Sequence, residues 1–116
     1  MSRMLIIMTY GADSPERATL PMVMATNAQS RGNQVNICMQ NEAVKLLVKG
    51  NAEKVNVKGL PPLKELLEVF LKQGGKFMVC NPCLKSRGIK PTELIPDATV
   101  VAAGTLVSSI NSSDKV

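Results

Sequence analysis

Histidine and tryptophan are absent from this 116-residue chain, and its aromatic side chains are only Tyr10, Phe70 and Phe77. Without an imidazole, Ser-His-Asp and Cys-His catalysis are excluded, so a cysteine nucleophile has to be activated by its local field. The scarcity of aromatics removes the stacking platforms of nucleic-acid binders, and the basic residues form no dense run. The formal net charge of +5 raises nucleic acid as a partner, but without those platforms or a basic run a nucleic-acid partner is not expected. No apolar stretch approaches the ~20 residues that span a bilayer, and the Met4 to Met8 run is too short for the core of an export signal. A cytoplasmic protein with no membrane segment is expected. Cysteines number three, an odd count that argues against a secreted disulfide framework and for thiol chemistry or simple burial.

What is present is an ordinary globular composition, 45% hydrophobic and 20% charged, in a length that suits one domain over residues 1–116. Arg3 to Tyr10 reads as a buried parallel strand, ending in the polar loop Gly11-Ala12-Asp13-Ser14. Ser14 and Pro15 open a helix toward Gly32, which Pro21 is expected to kink or interrupt. Gln34 to Met39 is a second strand; Gln40 or Asn41 caps a helix from Glu42 to Lys49, and Val55 to Val57 forms a weak pairing segment. Leu63, Leu66, Leu67, Phe70 and Leu71 fall on one face of the clearest helix, closed by Gly74-Gly75. Lys76 to Val79 is a third strand, Ala98 to Ala103 a fourth, and Gly104 to Ile110 a last helix. Strands alternating with helices predict an α/β fold, a three-layer α/β/α sandwich around a mostly parallel sheet of four to five strands.

The segment KFMVCNPCLKSRGIKP, Lys76 to Pro91, carries the chemistry. Cys80 and Cys83 stand where the third strand hands over to a short helix, with Asn81 read as N-cap and Pro82 as first helical residue. Unpaired N–H groups at that turn favour thiolate. Between Val69 and Thr92 lie five basic residues (Lys72, Lys76, Lys85, Arg87, Lys90) and no acidic one, a second reason to expect a lowered thiol pKa. Ligands of parallel sheets gather at the carboxyl ends of strands, so Gly11, Asp13 and Ser14 are expected to share a crevice with the cysteine turn. One CxxC, without a second or a histidine, falls short of the four ligands of a structural zinc site, so neither metal nor cofactor is expected. Sulfur transfer and thiol–disulfide exchange remain as the chemistries that need no imposed general base. Cys38, mid-strand among apolar neighbours, reads as core.

The chain resembles the DsrE/DsrF-like (YchN-like) sulfur-relay family. The likeness is carried by LIIMTYGADSPERA near the start, Arg31-Gly32, the run Asn41 to Gly50, and above all VCNPCLKSRGI, Val79 to Ile89. It implies that a cysteine after the third strand accepts sulfane sulfur as a persulfide and passes it on. Cys80 matches the sulfur-bearing position of one branch and Cys83 that of others. On this resemblance Cys80 is taken as primary nucleophile and Cys83 as second or resolving thiol, with Asn81, Lys85 and Arg87 as anion support. Sulfur donor and acceptor proteins are the implied partners, within a homo-oligomer, trimer or hexamer. Two other readings stand beside the carrier: a thiol–disulfide oxidoreductase using Cys80 and Cys83, and a structural subunit whose cysteines are inert.

Overall fold

In the computed structural model, which describes residues 2–116, four strands form one all-parallel sheet in the order β1-β2-β3-β4: β1 Arg3–Met8, β2 Gln34–Met39, β3 Lys76–Cys80 and β4 Ala98–Val101. Each connection moves one strand in the same direction. Right-handed crossovers therefore deliver the intervening helices to a single face. Those are α1 Pro15–Ser30, α2 Leu63–Lys72 and the short α3 Asn81–Ser86. Only the final helix, α4 Ala103–Ser112, returns to the opposite face, which completes the expected three layers but makes them unequal.

The period-2 alternation of the strands sorts the core accordingly. Val35, Ile37, Met39, Phe77 and Val79 join Ala18, Met22 and Ala25 of α1 and Leu63, Leu67 and Phe70 of α2 in one large cluster. On the opposite face a small cluster unites Leu5, Cys38, Cys80 and Leu106, the last being the one buried residue of α4. The strand registers Ile37↔Phe77 and Phe77↔Ala98 stack these layers across β2, β3 and β4.

Several expectations are corrected. Pro21 does not interrupt α1, which runs unbroken from Pro15 to Ser30. One missing N–H is outweighed by the burial of Ala18, Thr19, Met22 and Ala25 against sheet and α2, in keeping with helices drawing their stability mainly from packing. The segment after β2 is a 3₁₀ helix, Asn41–Leu47, rather than an α-helix over 42–49. Val55 to Val57 joins no strand. β4 is shorter and less buried than expected, as suits an edge. The fifth strand is reduced to one parallel bridge, Met4↔Lys115, where Leu5 N–H donates to the Lys115 carbonyl at 2.9 Å.

Candidate functional site

Cys80 is both the last paired residue of β3, opposite Val101, and the N-cap of α3. With no loop between strand and helix, the cap falls one residue earlier than expected: Asn81 occupies the first helical position, Pro82 the second and Cys83 the third. Pro82 tolerates this place because its missing N–H would have had no intrahelical partner. The strand's alternation then fixes the fates of the two thiols. Cys80, 8% exposed, turns onto the α4 face beside Cys38, 1% exposed, while Cys83 is half-buried at the rim.

The second half of the site comes from the end of β2. Asn41 has φ 55°, the only positive φ at a non-glycine residue among the described residues. Its backbone N–H donates to Cys83 Sγ at 3.3 Å. Its side-chain Oδ1 accepts from Arg87 Nη2 at 2.7 Å. Arg87 also donates through Nε to Glu42 Oε2 at 2.6 Å and through Nη1 to the Cys83 carbonyl at 3.3 Å. Glu42 is shared with Lys45 Nζ at 2.9 Å, and these hydrogen bonds, Lys45 first and Arg87 second, hold its carboxyl below the usual range.

The expected lowering of the thiol pKa does not hold for Cys80. Burial pushes this thiol up, the neighbouring Cys83 thiol adds to the rise, and the Cys83 N–H and the Arg87 charge only partly oppose it. The helix end and one basic neighbour, Arg87, are present, but desolvation of the charged form outweighs them. Cys38 is pushed up to about 11, again chiefly by burial and then by Cys80 and Cys83. A folded value above the unfolded one gives stability that is fully present below the ordinary thiol range and is lost as pH rises toward 11. The loss is expected to be on the order of 2 kcal/mol. Thermal unfolding followed from neutral to strongly alkaline pH should show this decline, and Cys38→Ala should flatten it.

The remaining sequence candidates are placed as follows. Arg87 reaches the site, but as a strut bound to Glu42, Asn41 and the Cys83 carbonyl rather than as a free counter-charge. Lys85 is exposed on α3 and makes no hydrogen bond or ion pair with the cysteine turn. The Asn81 side chain makes none either. Asp13 Oδ1 accepts the Gly11 N–H at 2.8 Å and so braces its own loop, and Ser14 is the N-cap of α1 without a side-chain bond. The Gly11 loop does not meet the cysteines directly. Because β2 lies between β1 and β3, Asn41-Glu42 is interposed, and Gly11 packs against the Glu42 backbone. Asn41 and Glu42 are the residues of this cluster that sequence reasoning did not place beside the cysteines. The strand-end rule that singled out the β1 and β3 loops applies equally to β2, and Asn is one of the few residues that accept a left-handed backbone.

Among the described residues, no helix is long and apolar enough to cross a membrane, and no three metal-ligating side chains are grouped to hold an ion. The protein MJ0989 of Methanocaldococcus jannaschii is similar, 31% identical over 111 residues that cover 96% of this chain and 94% of that one. The fold is also that of the E. coli YchN protein, with TM-score 0.76 at 18% identity over 100% of this chain and 97% of that one. MTH1491 of Methanobacterium thermoautotrophicum superimposes with TM-score 0.79 at 15% identity over 100% of this chain and 98% of that one. The family model of the DsrE/DsrF-like proteins matches residues 2–116, and the chain belongs to that family.

Proposed function

We propose that this protein is a sulfur carrier that receives sulfane sulfur on Cys83 as a persulfide and hands it to an acceptor thiol, with Cys80 as the second thiol of the pair. The observation that carries this reading is the inequality of the two cysteines: Cys83 is only partly buried, with a backbone donor at its sulfur, and Cys80 beside it is 8% exposed with its thiol pushed up by burial. The roles assigned from the family likeness are thereby exchanged.

The Cys83 thiolate attacks the terminal sulfur of a donor persulfide, forming a new S–S bond as the donor leaves as a thiolate. The acceptor's thiolate then attacks the outer sulfur, and Cys83 departs as thiolate. Attack by Cys80 on the inner sulfur would instead release hydrosulfide and leave a Cys80–Cys83 disulfide. Burial keeps Cys80 protonated at neutral pH, so this discharge is slow and the cargo survives until a partner arrives. Donor and acceptor are proteins in this reading, and the exposed Val107 and Ile110 of α4 support assembly of several copies, as trimer or hexamer.

Incubation with a polysulfide donor followed by intact-mass and peptide mass spectrometry tests the reading. An adduct of about +32 Da is expected on Cys83, lost in Cys83→Ser and longer-lived in Cys80→Ser. Absence of sulfur from both cysteines would remove the proposal. A thiol–disulfide oxidoreductase, favoured by the contact between the two thiols, would instead turn over disulfide substrates without a retained adduct.

A further inference from the structure

We infer that Asn41 is the positioning residue of the Cys83 thiol, its left-handed backbone aiming the N–H at Sγ while Arg87 and Glu42 hold it in that conformation. This deepens the carrier reading by naming what steadies the anionic sulfur at the same site. A left-handed backbone is costly for a residue with a Cβ and persists where the surroundings over-determine it. Here the surroundings do so from three directions. Arg87 Nη2 holds the Asn41 side chain at 2.7 Å, Arg87 Nε holds the next residue, Glu42, at 2.6 Å, and the Gln40 N–H is fixed to the Met8 carbonyl at 2.9 Å.

The same guanidinium ties this turn to α3 through the Cys83 carbonyl at 3.3 Å and the Ser86 hydroxyl at 3.1 Å. Donor and acceptor, 42 residues apart in the chain, are therefore locked in register by one side chain. An N–H donor binds an anionic sulfur more strongly than a neutral one, so the contact is suited to steadying a persulfide anion on Cys83. Arg87 donates elsewhere: its Nε to Glu42, its Nη1 to the Cys83 carbonyl and the Ser86 hydroxyl, and its Nη2 to Asn41 Oδ1. The charged and titratable groups around the thiol are Arg87, Glu42, Lys45, Cys80 and Cys38, and none is altered by substituting position 41.

The test is the alkylation rate of Cys83 in the full chain, followed by peptide mass spectrometry from about pH 6 to about pH 10. Asn41→Val disfavours the left-handed backbone and is expected to lower the rate at neutral pH about tenfold. Asn41→Gly keeps both the N–H and access to positive φ and is expected to stay within about threefold of the unaltered protein. Arg87→Lys keeps the charge but cannot span Asn41, Glu42 and the Cys83 carbonyl together, so it should lower the rate as Asn41→Val does. Should Asn41→Val not fold, as judged by circular dichroism, Asn41→Ala replaces it, with a smaller loss of rate. An unchanged rate in Asn41→Val or Arg87→Lys, or an equal loss in Asn41→Gly and Asn41→Val, would overturn the inference. Alkylation needs no sulfur donor, so a responsive rate without any sulfur adduct would retire the carrier reading and leave the role of Asn41 standing.

Discussion

Phe70→Ala is expected to lower unfolding free energy by about 3–5 kcal/mol, a large share of the ~5–15 kcal/mol that holds a domain of this size. Phe70 is fully buried on α2, its ring 4.9 Å from that of Phe77 on β3 and inclined at 51°. These are the only phenylalanines in the chain, and no other large ring stands ready to refill the space. Gly75 floors the same pocket: a methyl group there would overlap the Phe70 ring, and the Gly75 N–H donates to the Phe70 carbonyl at 2.9 Å. Gly75→Ala is accordingly expected to cost about 1–3 kcal/mol by overpacking. In the double variant Phe70→Leu with Gly75→Ala, the smaller side chain makes room for the methyl, so the two losses should sum to more than the measured one. Denaturant unfolding of five proteins, the unaltered chain, Phe70→Ala, Phe70→Leu, Gly75→Ala and the double variant, decides the matter. A loss below 1 kcal/mol in Phe70→Ala, or strict additivity in the double variant, would show that this contact does not anchor β3. The consequence reaches function because β3 ends in Cys80, so a loosened Phe77 loosens the strand that sets the two thiols apart.

The parts of the fold set by local pattern were legible. The apolar face of α2 follows from spacing alone, and three of the four strands lie within the runs that alternation or continuous apolarity marked, while β3 extends one residue beyond its run, through Cys80. Strand order was not legible, since nothing local distinguishes the progression β1-β2-β3-β4 from other parallel arrangements. The same gap hid what lies between the Gly11 loop and the cysteine turn. Whether the Gly11 loop meets Cys83 or is separated from it depends on which strand lies between, and β2 does. Cysteine burial escaped for a different reason: helix-end and charge arguments read from sequence contain no desolvation, which dominates at Cys80. Arg87 lies beside the cysteine turn, but its partner Glu42 is 45 residues away, beyond any spacing rule. The displaced cap of α3 has a local origin, as β3 pairing runs through Cys80 and leaves no residue free for Asn81 to follow as a cap.

Gly11→Ala is expected to disturb the thiol site from a distance, through backbone rather than side chain. Gly11 is buried, and a methyl group built on it would overlap the Glu42 carbonyl oxygen and press on its carbonyl carbon. Neither atom belongs to a flexible side chain, so a change of rotamer cannot relieve the overlap, and one of two backbone segments has to move. The Gly11 side is pinned: its N–H donates to Asp13 Oδ1 at 2.8 Å, and its carbonyl accepts from the Ser14 N–H at 3.0 Å, at the start of α1. The displacement therefore falls on Asn41-Glu42, which carries the donor to Cys83 Sγ and the carboxylate bound by Arg87. Overpacking of this kind costs about 1–3 kcal/mol, measurable by equilibrium unfolding. The accompanying change is a slower alkylation of Cys83 at neutral pH, in the same sense as Asn41→Val. Asp13→Ala provides the contrast, because it removes the brace without introducing the overlap and should cost stability while leaving Cys83 alkylation close to that of the unaltered protein. If Gly11→Ala unfolds at the same denaturant concentration as the unaltered chain, the close approach of the two loops is not felt, and the β1 loop has no hold on the cysteine turn.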